Sequence, residues 1–266
     1  MNEIWISLTT LPDRIYKINK TLNSLKNQTV QVDKINLCIP YIAKRLNKPY
    51  IIPNFLINDK HINIIRCEDY GPITKLLGSL NNCENPNTII ITVDDDVIYP
   101  TDLVEKLLTR SQLYPKSAIG FCGWMLKDLV KSKHYFYSNL VYEDRIKGLK
   151  FKTSVDVLEG YRGVLYKKHF FDNKIYDITN LDESIFYVDD TFISLLLSEN
   201  NVDRLSFKYE EDTTLTTDEI FNKIWKCGNK EKDSLSSLGD FYEKNVDAVT
   251  SIIKKYPKLK WKHHLY

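Results

Sequence analysis

At 266 residues, 43% of them hydrophobic and 12% aromatic, the chain can bury a large core and belongs among globular proteins. Its net charge of +2 gives no electrostatic footprint for nucleic-acid binding, so no nucleic-acid partner is expected. Five scattered cysteines, with no C-x-x-C pair, argue against a zinc or dithiol redox motif. No apolar stretch approaches the ~18 residues of a spanning helix, and no basic-then-apolar leader opens the sequence. The expectation is a cytoplasmic protein, with peripheral membrane association and oligomeric state left open.

The first half alternates β-rich runs with helical periods, the signature of parallel strands joined by crossover helices. A strand over 3–9 precedes a helix marked by Pro12 and Asp13, in which Ile15, Ile18, Leu22 and Leu25 recur at spacings of three and four. A second strand over 35–39 stops at Pro40, and a loop containing Pro49 and Pro53 leads to a third strand over 62–66. The turn Asp69-Tyr70-Gly71-Pro72 opens a short helix through Leu80, and a fourth strand covers 88–93. A helix begins near Thr101, carrying Leu103, Leu107 and Leu108.

Beyond Pro115 the pattern becomes aromatic, and mixed or antiparallel strands are expected over 118–122, 135–142, 155–158 and 161–166. A helix follows Asp190. Residues 208–232 read as a polar flap and 236–256 as a last amphipathic helix, before a basic, aromatic tail. The domain reading is one α/β unit over 1–207, in a first half (1–100) and a second half (101–207). A helical extension over 208–266 packs on it.

Chemistry concentrates where the fourth strand ends in three consecutive aspartates, Asp94, Asp95 and Asp96. Adjacent carboxylates repel, and such a cluster needs solvent, a counter-charge or a cation to screen it. Capping of the next helix uses one or two acids, and Thr101 and Asp102 already stand there. Hard oxygen ligands at the carboxyl end of a parallel strand suit Mg²⁺ or Mn²⁺ beside a ligand crevice.

Five blocks in order, ISLTTLPDRI, DYGPITKLLGSL, IIITVDDDVIYP, EGYRGVLYKKHFF and YVDDTFISLLL, resemble the GT-A nucleotide-sugar glycosyltransferases of the family-2-like and capsule type. The resemblance implies a Rossmann-like mixed sheet flanked by helices. It also implies sugar transfer from a nucleoside-diphosphate donor, with UDP-sugar expected, to a hydroxyl of a glycan acceptor. The reaction would be metal-dependent and inverting.

Carried over by position, Asp96 is the direct metal ligand, Asp94 its support and Asp95 a contact near the donor ribose. Thr9, Thr10 and Arg14 fall where the family holds the donor, and Asp69 and Lys75 where base, ribose or phosphate is met. Glu159, Gly160 and Arg162 lie in a glycine-flanked loop beneath the donor sugar. Asp190, with Asp189 as second choice, is the general base. His263 or His264 would be a candidate for completing the metal shell. Two other readings stay open: Mg²⁺-dependent phosphoryl transfer of the haloacid-dehalogenase kind, which also uses D-x-D after a strand, and a non-catalytic glycan-binding protein on the same fold.

Overall fold

The computed structural model describes residues 2–124, 152–180, 188–207, 209, 226–227, 251 and 254. The first strands are β1 (Ile4–Thr9), β2 (Lys34–Pro40), the hairpin β3 (Ile42–Ala43) and β4 (Lys48–Pro49), β5 (Ile62–Cys67) and β6 (Ile89–Thr92). Then come β7 (Val97–Ile98), β8 (Ser117–Gly120), β9 (Gly123–Trp124), β10 (Lys152–Ser154), β11 (Val157–Leu158), β12 (Val164–Lys167), β13 (Asp203–Phe207) and β14 (Lys226–Cys227). The helices are α1 (Asn19–Lys26), α2 (Asn54–Ile57), α3 (Thr74–Asn81), α4 (Leu103–Leu113) and α5 (Asp189–Glu199).

Eight strands form one mixed sheet in the order β10-β13-β8-β12-β6-β1-β2-β5. Strands β6, β1, β2 and β5 run parallel, as the alternating first half requires, whereas β12 inserts antiparallel between β6 and β8. From β1 the chain steps to β2 and β5, then returns to β6 on the other side of β1. That reversal opens a crevice at the carboxyl ends of β1 and β6, where open α/β sheets bind ligands.

Right-handed crossovers place successive steps in one direction on one sheet face and the return step on the other. Two buried clusters agree. One joins Ile15, Ile18, Leu22 and Leu25 with Leu56 and with Leu103 and Leu107 of α4. The other joins Ile73, Leu76 and Leu77 of α3 with Phe192 and Leu196 of α5. Strand residues alternate between them with the period of two that a pleated strand imposes: Val164 and Tyr166 lie under α3 and α5, Leu165 on the opposite face.

Several expected boundaries are corrected. The periodic residues Ile15 and Ile18 are buried, but they lie in turns, and regular helix starts only at Asn19. Pro40 is the last residue of β2 and does not break it. The loop after it contains a hairpin and α2, short elements stabilised by packing that carry little periodicity. The strand expected over 155–158 is shortened to β11, which pairs with β9, and a separate strand, β10, precedes it and pairs with β13. The strand expected over 161–166 begins at Val164, after a single 3-10 turn, Gly160–Arg162. Strand β13 was not foreseen. The strand expected over 135–142 and most of 208–266 lie outside the described residues.

Helix α3 sits close to the sheet over a stripe of small polar groups. Ser7 Oγ is 2.7 Å from Ser79 Oγ, Asn36 donates to Ser79 at 2.8 Å, and Asn63 donates to Asn36 at 2.8 Å. Gly78 permits this approach, because a Cβ there would lie 2.5 Å from Cys38 Sγ and 2.9 Å from its Cβ. Gly→Ala in a helix ordinarily gains roughly 1 kcal/mol. Here Gly78→Ala is expected to destabilise by about 1–3 kcal/mol, as overpacked cores do, and Cys38→Ala in the same chain should recover part of the loss in urea denaturation. A stabilised Gly78→Ala variant would contradict the close approach.

Candidate active site

The turns after β1 and β6 emerge side by side because the two strands are neighbours, with Ser7 in register with Thr92. Thr10 Oγ1 donates to Asp95 Oδ2 at 2.5 Å, and Thr21 donates to the Asp95 carbonyl at 2.9 Å. The Arg14 guanidinium lies between two of the aspartates, 3.1 Å from Asp95 Oδ1 and hydrogen-bonded to Asp96 Oδ2. Burial pushes the Asp95 carboxyl up to about 6, a rise that Arg14 opposes and Asp96 reinforces. Asp96 is also raised, first by burial and then by Asp94, with Arg14 again opposing.

The second arm comes from the other face. Lys75, only 5% exposed on α3, donates to Asp94 Oδ1 at 2.9 Å and lies 3.2 Å from Asp189 Oδ2 at the start of α5. Burial alone would lower its pKa, but Asp189 and Asp94 outweigh that and hold it well above the ordinary lysine value. Both oxygens of Asp190 stand 3.1 Å from the Gly160 amide, which donates to them. Burial and the adjacent Asp189 raise its carboxyl well above the usual range, against the pull of Lys75. Glycine at 160 keeps this corner uncrowded, since a Cβ would make a tight contact of 3.1 Å with both Asp190 Oδ1 and Lys75 Nζ.

Residues that sequence reasoning singled out therefore fall into three groups. Thr10, Arg14, Lys75, Asp94, Asp95, Asp96, Gly160, Asp189 and Asp190 meet in one connected constellation. Thr9 turns toward the neighbouring strand, donating to the Cys38 carbonyl at 2.8 Å. Asp69 spends both oxygens on backbone, accepting from Lys44 N and Gly71 N at 2.7 Å each, so it organises the loop. Glu159 and Arg162 belong to a cluster behind Gly160: Cys122 donates to Glu159 Oε2 at 2.7 Å, and the Arg162 guanidinium lies 5.0 Å from the Tyr161 ring centroid. His263 and His264 lie outside the described residues.

Two tyrosines were missed. Tyr99 Oη accepts from the Asp94 amide at 2.7 Å and donates to the Tyr161 carbonyl at 3.0 Å, locking the aspartate turn to the Gly160–Arg162 turn. Tyr50 Oη donates to the Thr10 carbonyl at 2.7 Å. A tyrosine placed directly after the aspartates, in VIYP, was the available signal for the first; nothing marked the second.

The constellation holds five carboxylates against two cations, Arg14 and Lys75. Among the described residues no three carboxylate, histidine or cysteine side chains converge as a ready-made metal cage. A cation shared with phosphate oxygens needs only one or two carboxylates, and Asp94 and Asp96, 32% and 24% exposed, are the two of the triple that reach solvent. The donor set fits such an ion.

Fold and site together define an α/β protein of the GT-A kind, as its five ordered blocks led one to expect. No protein-family model and no curated protein sequence matches the chain. Among solved structures it is similar to S. aureus TarS, with a TM-score of 0.50 and 11% identity over 78% of this chain and 35% of that one. It is equally similar to TarS 1–349 in complex with UDP, again at TM-score 0.50 and 11% identity, over 78% of this chain and 58% of that one. The chain thus spans about a third of the first TarS structure and somewhat over half of the second. At this identity the likeness establishes the fold.

Lys75 carries a stability test. Lys75→Met leaves Asp94, Asp189 and Asp190 without their common counter-charge, and breaking a buried pair in this way costs about 3–5 kcal/mol. A folded-state carboxyl pKa raised above its unfolded value means that stability grows as pH falls through the folded value. The deficit of Lys75→Met should therefore be largest above the raised Asp190 pKa and shrink as pH drops through it. Urea denaturation across that range checks this, and a pH-independent deficit would assign the loss to packing alone.

Proposed function

We propose that the chain is a metal-dependent glycosyltransferase that moves a sugar from a nucleoside-diphosphate donor, a UDP-sugar in the first instance, to a hydroxyl of a glycan acceptor, by one inverting displacement. The observation that carries this reading is the excess of carboxylate over cation at the carboxyl ends of β1 and β6, where the strand order reverses. A fold shared with a protein solved in complex with UDP supports the donor class.

Asp96 and Asp94 would hold Mg²⁺ or Mn²⁺, Asp96 sharing its carboxylate with Arg14. The ion supplies positive charge to the departing diphosphate, so no proton has to be delivered there. Thr10 and Arg14 keep the Asp95 carboxylate oriented from below. Asp190 takes the proton from the acceptor hydroxyl, and its raised pKa makes it a stronger base than an ordinary carboxylate. The Gly160 amide fixes its direction. Lys75, expected from sequence to reach phosphate, instead holds Asp94 and Asp189, tying the metal rim to the helix that carries the base.

Mn²⁺ with UDP, GDP, CDP or dTDP should raise the melting temperature, since ligand at a hundred times its Kd adds about 2.7 kcal/mol to the native state. Absence of a shift with every nucleotide would defeat the transferase reading. Asp96→Ala should abolish the metal-dependent part of the shift. Asp190→Asn should preserve it while turnover falls by at least ~10²-fold, the scale of a lost general base. Equal loss of nucleotide affinity in both variants would refute the division of roles.

The pH profile gives an independent check. Because the base must be ionised, kcat/KM should fall with decreasing pH along a limb set by the free enzyme's Asp190, above the ordinary carboxylate range. Asp190→Asn should also match or exceed the native chain in stability at pH 8, where the ionised carboxylate is a burden on the fold. A native-like limb in Asp190→Asn would move the base elsewhere.

A further inference from the structure

Of the nine large apolar side chains exposed among the described residues, seven lie at position 16 or between 41 and 57. Ile51 is 73% exposed, Ile57 61% and Tyr16 55%, values that no core requirement explains. These residues share one surface. Segment 13–26 and segment 41–60 cross the same sheet face, their inward residues Ile15, Ile18, Leu22, Ala43, Tyr50 and Leu56 joining one buried cluster. Lys26 pairs with Asp59 at 2.8 Å, and Lys48 pairs with Asp13, stitching the two segments edge to edge. The apolar residues left outside thus point away from the sheet on a common face.

Charge distinguishes this face from the rest of the molecule. Apart from Arg14, which serves the aspartate site, the two segments contain seven Lys or Arg against two Asp, although the whole chain nets only +2. Both of those aspartates are already ion-paired. Lys20 and Lys60 of the two segments are exposed, as is Lys44 on the same hairpin as Leu46. A second copy of the chain would set this cationic surface against itself. The apolar residues sit on a hairpin tip, a short helix and a turn, as separate points among cations. That arrangement suits the headgroup layer of a bilayer, where apolar side chains insert between lipids and lysines meet phosphates.

We propose that the face built by 13–26 and 41–60 docks the protein on an anionic membrane surface, by shallow insertion of Ile51, Phe55 and Ile57 assisted by the surrounding cations. No helix among the described residues is long and apolar enough to cross a membrane, and this mode needs none. Attraction from each basic residue is screened by salt over a Debye length of about 10 Å at 0.1 M, whereas the apolar contribution is not. Both components therefore have to be present, because either alone gives marginal and reversible binding. The inference rests on surface chemistry alone and stands or falls apart from the transfer reaction.

Flotation of the full chain with phosphatidylcholine vesicles, with and without phosphatidylglycerol, tests it. Binding is expected with the anionic vesicles and should weaken as salt rises. Ile51→Glu with Ile57→Glu, and separately Lys20→Gln with Lys60→Gln, should each lower the partition coefficient by about tenfold or more, on the scale of two insertion or charge contacts. All four positions are exposed, so circular dichroism and melting should stay native. Equal binding to neutral vesicles, retention of binding in the isoleucine variant, or absence of binding at low salt would each overturn the proposal. So would binding to a soluble polyanion that matches the vesicles and ignores the isoleucine changes, since that would identify an acidic macromolecule as the partner. Concentration-dependent dimerisation lost in the isoleucine variant, without vesicle binding, would identify a second copy instead.

Discussion

The buried ammonium of Lys75 ties together two parts of the chain that lie far apart in sequence. Asp94 ends a parallel strand and Asp189 opens a helix almost a hundred residues later, and each would strain the fold by its charge if left alone in a partly desolvated place. One lysine from the opposite helix satisfies both, at 2.9 and 3.2 Å. Its position depends in turn on Gly160, which leaves room for it, and on α3 lying close to the sheet through Gly78 and the Ser7, Asn36 and Ser79 stripe. Local sequence choices in four separate segments thus converge on one electrostatic requirement.

Much of this was legible in the sequence, for a physical reason. Parallel strands buried on both faces, such as β1 and β6, write continuous apolar runs, and the crossover helices write spacings of three and four. Asp94, Asp95 and Asp96 stood out because their repulsion is local and needs no tertiary knowledge. What escaped notice was governed by tertiary packing. β13 buries four of its five residues but includes the charged Arg204 and the polar Ser206, which break the apolar pattern. The chain leaves one sheet after Ser154 and joins another at Val157, so that Val155 and Asp156 fall between two strands, a choice made by strand partners and invisible in the run itself.

The site shows the same division. Residue types at the rim could be named from sequence because carboxylates in a row are chemically conspicuous. Their partners could not, since Lys75 looks identical whether it reaches into solvent for phosphate or into the interior for two aspartates. Burial decides the matter: at 5% exposure the ammonium has no access to solvent without breaking its ion pairs. Asp69 likewise looked available and is occupied by backbone amides. Tyr99, overlooked as an aromatic in a turn, braces the aspartates against the 3-10 turn through its hydroxyl alone.

The adjacent acids Asp189 and Asp190 differ because a helix rotates its residues by about 100° at each step. Two neighbours at a helix N-terminus therefore cannot face the same partner, although both benefit from the dipole there. Asp189 faces inward to Lys75 and is 6% exposed, while Asp190 keeps partial contact with solvent and accepts from the amide of Gly160. The inward acid is committed to an ion pair that the fold needs. The outward acid accepts from the Gly160 amide, and burial beside Asp189 favours its protonated form against the pull of Lys75. Helical geometry, applied to two identical side chains, is enough to give them different partners.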